Sequence, residues 1–186
     1  MVENNLSPAS ITSNLGTRFV GQRVICYPSL PSTMETAKQE AQLGAVEGTV
    51  VIADEQTAGR GRIKRVWLSP KGSLALSIIL YPSVANLPSL IMLASLAVAH
   101  SIEAVTGLRS QIKWPNDVLV NGRKVCGILI ESSVRANIVD YAIIGIGVNV
   151  NLRLSDFPEI QSIAASLSTE LGRDVSRLEV IRRLLV

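Results

Sequence analysis

The sequence predicts an α+β fold: a mixed, largely antiparallel sheet with helices on one side. Short β-type runs outnumber helical ones and often follow one another directly. That order disfavours the strand–helix–strand alternation of a doubly wound parallel sheet. One pair of runs is joined by Asn121-Gly122, the signature of a tight hairpin. With 47% hydrophobic and 18% charged residues over 186 positions, the chain can bury one substantial core.

Residues 1–20 are polar and read as a loose N-terminal arm carrying one short helix, and residues 21–186 as the main domain. Val24 to Tyr27 form a short strand, and Pro28 to Pro31 a turn. Ser32 or Thr33 caps a helix through Ala41, with Glu35 placed to complete a capping box and Gly44 to close the helix. Gly48 to Ala53 is a buried strand, and Ser73 to Leu80 a second one with partial alternation. Residues 88–105 form an apolar helix ending at Gly107. Ser110 to Trp114 is a strand halted by Pro115, and Val118–Val120 and Lys124–Glu131 are the arms of the hairpin. Tyr141 to Val150 is a further strand, in which Gly145 and Gly147 mark close backbone approach. Residues 161–170 and 176–186 read as helices.

The bulk numbers exclude several classes of function. A net charge of +3 is too small for a general nucleic-acid binder. Cys26 and Cys126 have no metal-ligand spacing, and a single histidine is too few for most zinc sites. Both thiols read as reduced, as in a cytoplasmic protein. The first residues lack the basic-then-apolar order of a signal peptide. The apolar stretch Leu74 to Val105 is broken by Pro82, Asn86, Pro88 and His100, so it reads as strand, loop and helix rather than a membrane span.

The chemistry concentrates in five segments. Gly59 to Trp67 packs four cations, Arg60, Arg62, Lys64 and Arg65, around two glycines and ends on one of two tryptophans. Glycine frees backbone N–H groups to approach an anion, and arginine forks bind carboxylate or phosphate. A solvated basic turn is the plain alternative. Ser32-Thr33-Met34 opens a helix, where hydroxyls and free N–H groups suit a carboxylate or a polar ring. Asp54 to Ala58, including Gln56, follows a buried strand and suits the wall of a cleft. Lys113-Trp114-Pro115-Asn116-Asp117 sets an amide beside a carboxylate, as an Asx turn or as a Mg²⁺-binding group. Lys124 leads into a very apolar strand containing Gly127, where its charge calls for an anionic partner.

In this order and spacing the segments resemble the catalytic domain of biotin protein ligases, the biotin–[acetyl-CoA-carboxylase] ligases. The family pattern is matched by Ser32-Thr33, Gln56 to Trp67, Lys113 to Asp117, Lys124 to Glu131, and Gly145 to Asn149. The resemblance covers residues 24–186 and implies a class II synthetase-like α+β catalytic fold. It implies that biotin and ATP, with Mg²⁺, give biotinyl-AMP, and that the biotinyl group passes to a lysine of a biotin carboxyl carrier protein. By the same resemblance Arg62 and Lys124 are the catalytic candidates, acting by position and field. Ser32, Thr33, Met34, Gln56, Gly59, Arg60, Gly61, Trp67 and Gly127 would bind biotin together with them. Arg60, Arg62, Trp67, Asn116, Asp117, Lys124 and Asn149 would bind the nucleotide, with Asn149 facing adenine. Trp67 would cover the valeryl chain or adenine, and Asp117 is the candidate Mg²⁺ ligand. The basic loop is expected to be mobile when empty and to close over ligand.

Three departures accompany the resemblance. Met34 stands where the family often has a short polar residue, and Lys64 where a glycine is frequent. The family's small C-terminal domain and N-terminal helix-turn-helix are not expected here, and neither is DNA binding. Some members dimerise through sheet edges, and a homodimer is compatible with this sequence. Two competing readings are a lipoate ligase or octanoyl transferase, and a nucleic-acid binder using residues 59–65.

Overall fold

A computed structural model describes residues 6–186. Seven strands form one sheet: β1 (Val24–Tyr27), β2 (Val50–Ala53), β3 (Leu74–Leu80), β4 (Ser110–Lys113), β5 (Asp117–Val120), β6 (Arg123–Arg135) and β7 (Ile138–Val148). Their order across the sheet is β1-β2-β3-β7-β6-β5-β4, and β1 with β2 is the parallel pair in an otherwise antiparallel ladder. The chain thus runs to the far edge after β3 and returns as a meander. Asn121 and Gly122 both take positive φ, 49° and 77°, as the two-residue turn between β5 and β6 requires. Ala136 and Asn137 do the same between β6 and β7, a hairpin longer than the sequence suggested.

Period-two alternation sorts the strands into two faces. Val50, Ile52, Leu74, Leu76, Ile144, Ile146 and Val148 face one side. They are covered by α1 (Pro8–Thr12), α3 (Leu90–Thr106), α4 (Leu167–Leu171) and α5 (Arg177–Leu185). By length and composition alone, Val84–Thr106 could cross a membrane. Here it lies on the sheet, with Leu90, Ala94, Val98 and Ile102 in the core.

The expectation of helices on one side holds for these four and fails for α2 (Thr33–Gln42). This helix packs Met34, Ala37 and Ala41 onto Val51, Ile79 and Ile143, on the opposite face. The reason lies in β2, whose four residues are all buried. A strand apolar on both faces needs cover on both.

Other local expectations are corrected. Ser32 is the N-cap of α2, yet its side chain makes no capping bond, and Glu35 turns instead to Arg60. The helix expected over 161–170 shrinks to α4, because Ser166 caps it, residues 161–163 form turns and Ala164 bridges to Lys124. The N-terminal arm is not loose from α1 onward. Ile11 is fully buried and Leu15 nearly so, both in the main core, and Arg182 of α5 donates to the Ser10 carbonyl at 2.8 Å. Ile11→Ala should therefore cost about 2–4 kcal/mol in chemical denaturation. An unchanged midpoint would restore the loose arm.

Candidate active site

The site face of the sheet is missing side chains where they would be expected. Gly127 of β6, Gly147 of β7 and Ala75 of β3 stand side by side in register. The next row is Leu129, Gly145 and Ser77. Apart from Leu129 these side chains are small or absent, and the floor they make is bounded by α2 on one side and by the β2–β3 connection above. The resulting cleft is partly open to solvent. Ser32, Thr33, Met34, Gln56, Arg60, Gly61, Arg62, Trp67, Asn116, Lys124 and Gly127 all line it. The structure thus brings eleven sequence-selected residues into one place. It adds Ile128, Leu129, Gly145, Ile146 and Gly147. The alternating glycines of β7 were the available signal for the last of these.

Two large side chains lie on the floor. A Cβ built on Gly147 would meet Trp67 Nε1 at 2.3 Å, and one on Gly127 would meet the same ring at 3.1 Å. Gly145 is covered by Met34, whose Sδ would stand 2.6 Å from such a Cβ. Trp67 therefore rests on the sheet as an inner wall rather than as an outer cover. Its indole Nε1, the ring atom nearest Gly147, is buried against the sheet without an acceptor.

Gln56 is oriented by α2. Its Oε1 accepts from the Thr33 amide at 2.8 Å and from Thr33 Oγ1 at 3.1 Å, and Ser77 Oγ donates to Thr33 Oγ1 at 2.9 Å. With Oε1 doubly used, the amide offers Nε2 as donor on its other side. Asn116 is fixed in the same way: Nδ2 donates to the Ile128 carbonyl at 3.1 Å, which turns Oδ1 to Arg62 Nη1 at 3.0 Å.

Lys124 reaches the site through a bulge. The β5–β6 register pairs Val118 with Cys126 but Leu119 with Lys124, so Val125 has no partner. Val125 and Cys126 both point into the helix-side core. That one-residue offset turns Lys124 to the other face. Its backbone is held by Lys124 N to Ile163 O at 3.0 Å and Ala165 N to Lys124 O at 2.9 Å. Its Nζ lies 2.7 Å from Asp117 Oδ1 and 5.4 Å from the Trp67 ring centroid.

The basic loop pairs with itself. Gly61 N donates to Arg65 O at 2.7 Å and Trp67 N to Gly59 O at 3.0 Å, so residues 59–67 form a small hairpin. Gly59 stays outside the lining, pressed against the Trp67 carbonyl. Arg60 pairs with Glu35 and, at 3.4 Å, with Glu131. At the tip Ile63 takes left-handed φ 55°, ψ 43°, with its side chain exposed. The left-handed residue of the loop is thus Ile63, the neighbour of the Lys64 departure. Asn tolerates this conformation better than a β-branched residue, so Ile63→Asn should raise stability by up to about 1 kcal/mol in urea unfolding.

Three selected residues are outside the lining: Gly59, Asn149 and Asp117. Asn149 is buried, and its Nδ2 donates to Ala165 O at 3.0 Å, tying β7 to the segment before α4. Asp117 is already neutralised by Lys124. Among the described residues no group of three or more His, Cys, Asp or Glu could hold a metal. One carboxylate bonded to an ammonium does not fit a protein-held Mg²⁺. The free thiols are no nucleophiles either: burial, and then Asp54, pushes Cys26 up to about 11, and burial also raises Cys126, so both stay protonated at neutral pH.

Comparison with known proteins agrees with this geometry. A sequence model described as the Biotin/lipoate A/B protein ligase family matches residues 26–149. The Bacillus subtilis bifunctional ligase/repressor BirA is 45% identical over 185 residues, covering 97% of this chain and 57% of its own length. This chain thus spans a little over half of that relative. The structure of an Aquifex aeolicus biotin protein ligase in complex with biotin and ATP is similar at TM-score 0.74 and 35% identity, over 88% of this chain and 68% of that one. A Leishmania major biotin protein ligase in complex with biotinyl-5-AMP is similar at TM-score 0.72 and 27% identity, over 88% and 71% of the two chains.

Proposed function

We infer that this chain, which belongs to the biotin/lipoate A/B protein ligase family, activates biotin with ATP to biotinyl-AMP and transfers the biotinyl group to a carrier lysine. The observation that carries the reading is the convergence of Arg62, Lys124 and Gln56 on one cleft beside the Trp67 indole. The glycines of β6 and β7 let Trp67 and Met34 lie flat against the sheet, and an indole face is a flat apolar wall for a fused ring. The donor that Gln56 turns outward suits a ligand rich in acceptors.

In the first step a carboxylate oxygen attacks the α-phosphorus of ATP. One P–O bond forms, the bond to the β-phosphate oxygen breaks, and pyrophosphate leaves. Both reactants are anions, so the barrier falls where cations meet the developing charge. Arg62, held by Asn116, and Lys124, held by its pinned backbone, are the groups in place for that. In the second step a neutral lysine amine of a biotin carboxyl carrier protein attacks the acyl carbon. The C–O bond to AMP breaks, and the amine sheds its proton as the amide forms. Magnesium belongs in this reading with the nucleotide's phosphates and not on Asp117. A cytoplasmic setting goes with the two free thiols.

The nucleic-acid reading loses support, because Arg60 is spent on Glu35 and Glu131 rather than offered to a phosphate backbone. The family name leaves lipoate open, and the solved relatives with biotin favour biotin. Isotope exchange between pyrophosphate and ATP tests the point. Exchange is expected with biotin and none with lipoate. No exchange with either acid would sink the reading.

A further inference from the structure

Beneath the cleft, on the helix-covered face, a nearly buried arginine joins the two ends of the basic connection. The chain leaves the sheet at Asp54, just after β2, and re-enters at Ser73, just before β3. Between these stems lie Gln56, Arg60, Arg62 and Trp67. Arg177, the first residue of α5, sends Nη1 to Asp54 Oδ1 at 2.9 Å and to the Ser73 carbonyl at 3.2 Å. One nitrogen thus touches the stem on each side of the loop. Its side chain is 8% exposed, a depth at which a guanidinium needs compensation.

The start of α5 is itself fixed. Val175 N donates to Asn151 Oδ1 at 2.9 Å, and Asn151 Nδ2 donates back to Val175 O at 2.9 Å. Asn151 N in turn donates to Gly72 O at 2.9 Å. Residues 54, 72 and 73 are therefore all tied to one rigid helix start. An apolar side chain could fill the same volume without the desolvation cost of a charge, so packing alone does not account for an arginine here.

We propose that Arg177 is a positioning residue: it clamps both stems of the 54–73 connection from the opposite face of the sheet and so sets where Gln56, Arg62 and Trp67 stand. Its kinetic consequence rests on the biotin-activation reading; its structural consequence does not.

Two measurements test it. Trypsin cuts at arginine and lysine, and Arg60 to Arg65 place its targets inside the clamped segment. In Arg177→Met, cleavage within 60–65 should rise about tenfold over cleavage elsewhere in the chain, because the local opening becomes more populated. Arg177→Lys should recover part of the protection. Asp54→Ala, which removes the carboxylate acceptor but leaves the bond to the Ser73 carbonyl, should behave like a milder Arg177→Met. In pyrophosphate exchange the biotin KM should rise about tenfold in Arg177→Met, with kcat changed less, as expected when ligand capture rather than charge stabilisation is lost. The clamp is refuted if cleavage at 60–65 rises only in step with cleavage elsewhere, or if Asp54→Ala leaves both readouts unchanged. If the wild type shows no exchange, the biotin reading fails, and the trypsin ratios still decide the clamp.

Discussion

Lys124→Ala should lower biotin-dependent pyrophosphate exchange by about 10²–10³-fold, the usual loss when one preorganised charge-stabilising group is removed. The fold should survive. The backbone of Lys124 is held by Ile163 and Ala165, so the main chain has no reason to move when the side chain goes. Asp117 loses its partner but keeps a quarter of its side chain in water. Circular dichroism and a thermal midpoint near wild type would separate lost chemistry from lost structure. Full exchange in a folded variant would remove Lys124 from the reaction.

Gly147→Ala should weaken biotin binding by about 10- to 100-fold, matching the 1–3 kcal/mol typical of an overpacked site. Gly145→Ala should cost far less. The two glycines sit on the same strand, two residues apart, and their new methyl groups would each clash below 3 Å. The difference lies in what they strike. At 147 the obstacle is the rigid indole of Trp67, which also abuts Gly127 and Lys124. At 145 it is the unbranched thioether of Met34, which has rotatable bonds to give way. Calorimetric titration with biotin checks both. Equal losses would mean that Trp67 is not a fixed wall of the site.

Much of the site was legible because its chemistry is written in contiguous runs. The basic loop, the Lys113–Asp117 turn and the Lys124 strand each announce themselves, and the fold brings them to one cleft. What was hidden depends on distant partners. Ser32 and Glu35 have capping-box spacing, but Arg60 competes for Glu35. Asn149 sits in a motif that implies a ligand, yet Ala165, sixteen residues on, takes its amide. The short helix α1 looked like part of a polar arm, since one buried isoleucine in a run of Ser, Asn and Thr carries little periodic signal. The apolar character of β2 was visible, but not that both its faces would be covered.

Val125, the unpartnered residue of the β5–β6 ladder, acts as a reading frame for the strand. Were Val125 paired in a regular ladder instead, Lys124, two residues before Cys126, would share its face and point at the helices, a charge in apolar surroundings and absent from the cleft. The sheet would gain regularity while the site lost a cation. The bulge therefore matters more than most single side chains of this strand, because it decides to which side of the protein Lys124 belongs.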